Sequence, residues 1–291
     1  MLKQQNKTQA ALRSLIYPLC READDLYARG QYAQAEQLYL RALVLTELLC
    51  GRDHRFLAVI CNNLAVLYKY TGRFDEAAQL YQRSLVITES ALGAEHPDVA
   101  TIYHNLGGLE HARGRFSAGE PHARRSVAIR ERALGSDHVD TAADLAALAA
   151  LLDGQQKYGE AEPLYLRALE IFERAYGPEH AEIAVSLNNP AALRQAQGRL
   201  SEAEELYRRA LAIKEKQLGA EHPGVAFTLN NLAVLLMKQQ RDQEAAQLFE
   251  RALASFAQTF GPEHPRVIIC RRHLARISAR RPALTLPQPA A

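Results

Sequence analysis

A glycine recurs every 42 residues along most of this chain, and this spacing constrains the possible folds more than any other feature. The six positions are Gly51, Gly93, Gly135, Gly177, Gly219 and Gly261. A histidine keeps the same step, at His54, His96, His138, His180, His222 and His264. Self-similarity at a fixed period of roughly 20–50 residues is typical of repeat architectures. The 291 residues are therefore predicted to form an array of like units.

Each unit carries two amphipathic segments, named helix A and helix B. In residues 225–236, apolar side chains recur with the period of a helix that buries one face. Residues 74–85 of an earlier unit show a second stripe of the same kind. The stripes consist of Val225, Leu229, Leu232, Ala233 and Leu236 in helix A, and of Phe74, Ala77, Tyr81, Ser84 and Leu85 in helix B. Each repeat is therefore predicted to be a helical hairpin.

Glycine and proline mark the ends of these helices at fixed places. The recurring glycine follows helix B, where the chain commonly turns into a left-handed conformation. Pro97, Pro223 and Pro265 come at the start of helix A, which suits the first helical position. The predicted hairpins are 10–51, 52–93, 94–135, 136–177, 178–219 and 220–261, followed by a closing helix at 262–282.

Over residues 10–282 the chain resembles the tetratricopeptide repeat family, and its 42-residue period is similar to that of kinesin light chain repeats. The family's small residues appear as Ala65, Gly107, Ala149, Ala191 and Ala233 in helix A, and as Ala35, Ala77, Ala161, Ala203 and Ala245 in helix B. Its aromatic position holds Tyr39, Tyr81, Tyr165, Tyr207 and Phe249. The resemblance implies an all-α, right-handed superhelical solenoid of tetratricopeptide hairpins. Too few residues precede the first hairpin for the long coiled coil of a working kinesin light chain, so none is expected.

The two ends of the array differ from its middle, as the exposed ends of a stack must. Glu22 stands where inner repeats have leucine, and the closing helix is rich in arginine. These arginines are Arg266, Arg271, Arg272, Arg276, Arg280 and Arg281. We interpret this helix as a solvated cap, with contact to nucleic acid or an acidic partner as the alternative. Residues 1–9 are expected to be flexible, and the proline-rich residues 283–291 to be disordered.

Two places break the repeat. Pro190 replaces a helix A leucine and is expected to kink that helix, because proline removes a backbone hydrogen bond and clashes with the preceding turn. Residues 117–123 contain Gly119 and Pro121 and are expected to weaken helix B of the third hairpin. Either place is read as a hinge or as a decayed repeat.

The candidate binding site is the exposed face of helix A, found by counting about 100° per residue away from the buried stripe. In the resembled family this face lines a concave groove. The predicted groove residues are Val59, Asn62, Asn63, Lys69, Tyr70, Thr101, His104, Asn105, Asn188, Asn189, Phe227, Asn230, Asn231 and Lys238. Asparagine disfavours helix interiors, so its recurrence needs a reason. One reason would be that the amides bind the backbone of a peptide, and the alternative is that they form hydrogen bonds between adjacent helices.

The groove residues also indicate what kind of peptide would fit. Lys69 and Lys238 lie near the two ends of the predicted groove, with few cations between them. Tetratricopeptide domains that capture a carboxylate use a clamp of lysine and arginine, which this sequence lacks. A neutral or apolar segment fits better, and the small residues of 143–154 leave room for a bulky side chain of the partner.

No pattern in the sequence indicates catalysis, a metal or a cofactor. The periodic histidines lie one per repeat, so they are assigned a structural role at the start of helix A rather than a metal site. No nucleophile elbow, P-loop or dinucleotide fingerprint occurs. A net charge of +2 favours neither nucleic acid nor an anionic membrane. The four cysteines show no regular spacing that would indicate disulfides, and the sequence shows no signal or membrane segment. Together these observations predict a cytoplasmic protein that does not insert into membranes.

These observations favour a non-catalytic scaffold or adaptor that holds a peptide segment of a partner protein in the helix A groove. The alternative is a regulatory sensor whose array changes curvature when a peptide binds, with Pro190 or residues 117–123 as the hinge. A structural spacer without a ligand is a third reading. The sequence specifies neither the partner nor the oligomeric state.

Overall fold

The computed structural model describes residues 12–280 of the chain. Every regular element in that range is a helix and none is a strand, which confirms the predicted fold class, an all-α solenoid of helical hairpins. The expected flexible segment 1–9 and disordered tail 283–291 lie outside the described residues, as do the last two residues predicted for the closing helix. The chain divides into two compact units, Met1–Leu164 and Tyr165–Ala291.

The first unit begins with a π-helical turn, Leu12–Ile16, and continues as consecutive A and B helices. Its helices are α1 Tyr17–Ala28, α2 Tyr32–Cys50, α3 Arg55–Tyr70, α4 Phe74–Leu92, α5 Pro97–Ala112, α6 Phe116–Leu134 and α7 Val139–Gly154. The odd-numbered helices are A helices and the even-numbered ones are B helices. Helix α8, Tyr158–Tyr176, contains the point at which the units divide.

The second unit continues the same pattern, except that its first A helix is in two pieces. Its helices are α9 Ala181–Ser186, α10 Asn188–Ala196, α11 Leu200–Leu218, α12 Pro223–Lys238, α13 Asp242–Phe260 and α14 Pro265–Arg280. Helices α9 and α10 together pack on α11, and α12 packs on α13, so that each hairpin is an A helix followed by its B helix. The closing helix α14 is an A helix that packs against α13.

The periodic histidines cap the N-termini of the A helices. In each case the imidazole Nδ1 accepts a hydrogen bond from the backbone N–H two residues later, at 3.0–3.3 Å. Such a bond satisfies one of the donors that a helix N-terminus leaves free. The histidine positions are His54, His96, His138, His180, His222 and His264. Their predicted structural role is therefore confirmed.

The core of each hairpin combines small residues with one large aromatic ring. In the first unit Ala65, Ala77 and Tyr81 are fully buried, because the small side chains let α3 and α4 approach closely enough to enclose the ring. In the second unit Ala233 and Phe249 hold the same places in α12 and α13. A buried ring removes about 150–250 Å² from water, so these positions dominate the packing.

The arginine-rich closing helix has the surface of a cap. Its residues Arg271, Ala275 and Ser278 are exposed. One repeat earlier, the same register holds Leu229, Ala233 and Leu236, which are buried under the B helix that follows. Among the described residues no B helix follows α14, so polar and small side chains there meet water instead of a neighbour. This distribution supports the cap interpretation of the arginines.

The helix with Pro190 is interrupted, as expected. Helices α9 and α10 are separated at Leu187, and Pro190, which has no N–H, cannot donate to the carbonyl four residues earlier. The Asn188 side chain partly compensates, because its Nδ2 donates to the Ala184 carbonyl oxygen at 2.7 Å. The interruption is thus held by a side chain.

The weakening expected at residues 117–123 is not seen. Helix α6 runs through Pro121 without a break, and Pro163 lies at the same register inside α8. Pro121 is on the exposed side of the helix near its N-terminus, where water can satisfy the carbonyl that loses its donor. Gly119 is a close-packing position, because a Cβ there would lie 2.6 Å from Leu151 Cδ2 and 3.1 Å from the Gly107 oxygen.

Candidate peptide-binding groove

The predicted groove residues lie on the outward side of the A helices. In α3, Val59 and Tyr70 are 50% and 64% exposed, while Cys61 and Leu64 on the opposite side are buried. Every other predicted groove residue is likewise exposed or half-buried. The helical count therefore separated the two faces of each A helix correctly. Which of these residues contact a ligand stays a prediction.

In the first unit the asparagines join neighbouring A helices. Asn105 of α5 donates through Nδ2 to Asn62 Oδ1 of α3 at 2.8 Å. Asn62 donates in turn to Asn63 Oδ1, and Asn63 donates to Asp24 of α1, both at 3.4 Å. These bonds form an amide ladder across three A helices. This ladder agrees with the interpretation that the asparagines join adjacent helices. The amides nevertheless remain half-exposed, so a peptide could still bind their free lone pairs and N–H groups.

A buried carboxylate lies beneath the groove next to this ladder. Asp144 of α7 is 2% exposed and receives a hydrogen bond from Ser126 Oγ at 2.6 Å and one from Arg130 Nε at 3.2 Å. Its other oxygen contacts His104 Nδ1 at 2.7 Å. Buried charges are tolerated when they are paired and hydrogen-bonded in this way. Of these residues only His104 was predicted to belong to the groove.

Arg130 links the carboxylate to the groove surface. It comes from helix α6, a B helix, and its Nη2 donates to Thr101 Oγ1 at 2.8 Å. The guanidinium therefore reaches between two A helices to a predicted groove residue. Arg130 is absent from the predicted groove because only A helices were assigned to it. The sequence does contain a sign of this polar cluster, because Asp144 stands at the position that Ile60 and Ile102 hold in the two preceding repeats.

Lys69, His111 and Asp153 occupy one register in three successive A helices and form a polar row in which Lys69 and Asp153 are half-buried. Burial lowers the pKa of Lys69. Burial also lowers the pKa of His111, an effect that Asp153 opposes and Lys69 reinforces. Burial raises the pKa of Asp153, against the influence of His111. At this register burial therefore disfavours the charged form of all three side chains.

The second unit presents amides of two kinds. The Asn188 Nδ2 donates to the Ala184 carbonyl of the preceding helix α9, and its Oδ1 is buried without a hydrogen-bond partner among the described residues. Asn230 Oδ1 receives a weak contact from Cys270 Sγ at 3.6 Å. Asn189 and Asn231 are accessible, and their amides show no hydrogen bond to any described side chain or backbone group. Only the last two are fully available to a ligand.

The remaining groove residues of this unit differ in accessibility. Phe227 is half-covered, because the Arg266 guanidinium lies 4.2 Å from its ring centroid and Phe256 packs edge-on at 5.2 Å. Lys238 is exposed at the end of α12. Lys214 of the B helix α11 donates to Thr228 Oγ1 at 2.9 Å, at the register that Arg130 has in the first unit, and was missed for the same reason. Burial lowers the pKa of Lys214.

Metal and thiol chemistry find no support in the part of the chain that the structure describes. No group of three or more histidine, cysteine, aspartate or glutamate side chains there is placed to hold a metal ion. Burial raises the pKa of the Cys20 thiol to about 12 and that of Cys61 to about 11, so both are protonated at neutral pH. No helix within residues 12–280 is long and apolar enough to cross a membrane.

A family model described as tetratricopeptide repeat matches the chain in overlapping segments from residue 17 to residue 281. The matched segments are 17–90, 60–131, 98–174, 148–216, 182–256 and 224–281. They span both units and every helix that carries a predicted groove residue. No curated protein matches the sequence.

Solved structures of repeat proteins are similar to this one. One is a protein of Podosopora anserina with nearly identical TPR-like repeats, assigned as a kinesin light chain; it is 28% identical, with a TM-score of 0.60, over 71% of this chain and 98% of the other. BtubC (BKLC) from P. vanneervenii is 22% identical, with a TM-score of 0.55, over 99% of this chain and 96% of the other. A STAND protein with a tetratricopeptide repeat sensor from Pyrococcus horikoshii is 16% identical, with a TM-score of 0.68, over 94% of this chain and 41% of the other. The last two, below 25% identity, show the fold alone.

Proposed function

Because the chain belongs to the tetratricopeptide repeat family, whose members generally act as non-catalytic interaction scaffolds, we propose that it holds a peptide segment of a partner protein against the exposed face of its A helices. The single observation that carries this proposal is the row of accessible polar groups on that face. Asn189 and Asn231 are the clearest members, since their amides have no hydrogen-bond partner among the described residues. An extended peptide backbone offers a donor and an acceptor per residue and so matches such amides.

The charge pattern of the face favours a largely neutral peptide. Asp144 and Arg130 neutralise one another beneath the first unit's groove, and Lys69 and Asp153 are half-buried. A strongly charged ligand would gain little from such a surface. We propose further that the protein carries out no reaction of its own and works in the cytoplasm, as its cysteine content suggested.

A regulatory sensor is the second candidate, and the interruption between α9 and α10 favours it. A helix broken at Leu187 and Pro190 can bend with less loss of backbone hydrogen bonding than a continuous one. A sensor would change shape when the peptide binds, whereas an adaptor would not. Small-angle X-ray scattering with and without peptide distinguishes the two, because only the sensor's radius of gyration changes.

The proposed function is tested by affinity capture from source cells with paired variants. The groove variant carries Asn189→Ala and Asn231→Ala, which remove accessible amides that make no internal bonds. The control carries Gln243→Ala and Gln247→Ala, two exposed amides on the B helix α13. A protein captured by the wild type is then divided into overlapping peptides, and each is tested for direct binding.

The proposal expects one peptide to bind the wild type and the control equally and the groove variant at least about fivefold more weakly, since two hydrogen bonds contribute roughly 1–3 kcal/mol together. Equal binding by all three proteins would contradict it. That outcome would direct attention to the B-helix surface or to the closing helix.

A further inference from the structure

The closing helix α14 exposes a face that the preceding A helix buries under a B helix. This open face consists of Ile268, Arg271, Ala275 and Ser278, which stand at i, i+3, i+7 and i+10 and so share one side of the helix. All four side chains are exposed. The corresponding residues of α12, 42 positions earlier, are buried in a core that they share with the B helix α13. The open face therefore has the register at which this fold receives a helix.

The charges on and beside the open face are all positive. Helix α14 contains no aspartate or glutamate, and Arg272 and Arg276 lie next to the open face, one turn apart. Neither forms an ion pair within residues 12–280, and Arg271 donates to the Pro262 carbonyl oxygen, at 3.3 Å, rather than to a carboxylate. Like charges four residues apart destabilise a helix. Burial, and then Arg276 and Arg272, lower the pKa of His273, so the positive potential extends to its neighbours.

The capping of the array does not by itself require this arrangement. A cap can carry charges of both signs, as the exposed Arg21, Glu22 and Asp25 of α1 do at the other end of the described array. Helix α14 instead combines charge of one sign with exposed isoleucine, since Ile268 is 40% and Ile269 43% exposed. Apolar side chains rimmed by charge are typical of interaction sites. The combination favours a ligand that is both apolar and acidic.

The chain itself shows how such an arginine is balanced within a hairpin. Arg194 of α10 stands two repeats before Ser278, at a position of the open face. It lies 3.8 Å from a carboxylate oxygen of Glu202, in the first turn of the B helix α11 that packs on α10. The B helix α13 likewise begins with acidic residues, Asp242 and Glu244. An acidic helix on the open face would supply the same kind of partner.

We propose that the open face of α14 binds an acidic amphipathic helix of a partner protein. Apolar side chains of that helix pack on Ile268 and Ala275, and its carboxylates pair with Arg271 and Arg272. The register shared with α12 identifies the occupant as a helix, and the uncompensated positive charge identifies it as acidic. Residues 281–291 contain no acidic residue, so this part of the chain lacks the required charge. A nucleic acid would match the charge but would leave Ile268 without an apolar partner.

The test is fluorescence anisotropy of the full chain with a labelled peptide that copies residues 242–260, the sequence of α13. Its acidic residues outnumber its single base, Arg251, and its apolar stripe is one that packs on an A helix. A neutral peptide carries Asp242→Asn, Glu244→Gln and Glu250→Gln. A third peptide has the α13 composition in scrambled order, and single-stranded oligothymidine represents nucleic acid.

The proposal expects the α13 peptide to bind, the neutral peptide to bind about fivefold more weakly because it lacks the ion pairs, and the scrambled peptide at least tenfold more weakly because it lacks the apolar stripe. Oligothymidine should bind no better than the scrambled peptide. The proposal is overturned if the α13 peptide does not bind or if the scrambled peptide binds equally well. Tighter binding of oligothymidine would identify a nucleic-acid surface instead.

A charge variant locates the binding. Arg271→Gln together with Arg272→Gln should weaken binding of the α13 peptide about three- to tenfold. The matched control carries Arg21→Gln and Arg41→Gln, two exposed arginines of the first unit that form no ion pair among the described residues, and should bind as the wild type does. Equal weakening by both pairs would show attraction by net charge alone and would overturn the site.

An apolar variant separates the helix-packing contact from the charges. Ile268→Ala should weaken binding about threefold or more and leave the melting temperature unchanged, because the side chain is exposed. The control is Val86→Ala, at an exposed apolar residue of α4, which should change neither. Full binding by Ile268→Ala would overturn the packing contact.

The proposal does not rest on the groove function, and two further measurements keep the two apart. The variant with Asn189→Ala and Asn231→Ala should bind the α13 peptide as the wild type does, and loss of binding there would place the peptide in the groove instead. Sedimentation velocity of the wild type alone tests for a second copy. A dimer that is lost in the variant with Arg271→Gln and Arg272→Gln would show that another copy of the chain occupies the open face, and would overturn a separate partner.

Discussion

His104 and Asp144 come from A helices of neighbouring hairpins and are joined by a 2.7 Å contact between the imidazole Nδ1 and a carboxylate oxygen. The histidine is a third exposed and the aspartate is buried, so the contact connects the groove surface to the layer beneath it. Arg130 balances the same carboxylate from the B helix between them. The predicted groove face of the first unit therefore lies over a buried polar cluster, at a register that holds Ile60 and Ile102 in the two preceding repeats.

Removing the carboxylate should destabilise the protein. In Asp144→Ala, the Arg130 guanidinium, which is nearly buried, loses its buried partner, and we expect a loss of about 2–4 kcal/mol in the free energy of unfolding. The control is Asp140→Ala, which removes the exposed partner of the same arginine and should cost less than about 1 kcal/mol. Thermal unfolding followed by circular dichroism measures both. Similar melting temperatures for the two variants would show that the buried pair is not stabilising.

Substitution of Gly119 should destabilise the first unit through a steric clash. Gly119→Ala places a Cβ 2.6 Å from Leu151 Cδ2, and we expect a loss of about 1–3 kcal/mol. Gly159 in α8 is the matched control, because a Cβ there meets nothing within 4 Å. Gly159→Ala should be neutral or stabilise by about 0.5–1 kcal/mol, since alanine favours the helix. If Gly119→Ala unfolds at the wild-type temperature, the close approach of these helices is not required.

Acid should loosen the start of helix α3. Burial, and then Arg55, lower the pKa of His54 in the folded protein, and its cap bond needs the neutral Nδ1 as acceptor. Because the folded-state pKa lies below the unfolded value of about 6.5, the stabilisation is complete above that pH and is lost as the pH falls through the lower value. His54→Asn keeps a cap acceptor that does not titrate. The variant should lose less stability than the wild type between neutral pH and about pH 5, and an unchanged pH profile would contradict this role.

Features that recur in every repeat could be predicted from the sequence, whereas features of a single repeat could not. The structural role of the periodic histidines at the start of helix A and the partition of α3 into buried Leu64 and exposed Val59 follow from local chemistry and helical period, and both were predicted. Asp144 was missed because its register differs from repeat to repeat, with Ile60 and Ile102 before it and Ser186 and Thr228 after it, so no recurring pattern marks it. The hydrogen bond from Asn105 to Asn62 depends on side-chain rotamers and on the distance between the helices, which the spacing of residues in the sequence does not give.

Restoring leucine at position 190 should repair the interrupted helix and test the sensor hypothesis. Leu64, Leu106, Leu148 and Leu232 occupy this register in four other A helices. Pro190→Leu returns a backbone donor and removes the clash with the preceding turn, so we expect more helix by far-ultraviolet circular dichroism and a gain of about 1–3 kcal/mol. Pro190→Ala, which restores the donor without the leucine volume, separates the backbone effect from packing.

The same variant distinguishes the two functional candidates. If the interruption between α9 and α10 is a hinge, Pro190→Leu should bind the partner peptide but show a smaller change in radius of gyration than the wild type. In the variant, bending the continuous helix would strain its backbone hydrogen bonds. In the wild type, Pro190 has already removed one of these bonds, so bending strains less. If the chain is a rigid adaptor, neither protein changes shape and the two affinities agree. A variant that is more stable, binds equally well and still compacts as the wild type does would exclude Pro190 as the hinge.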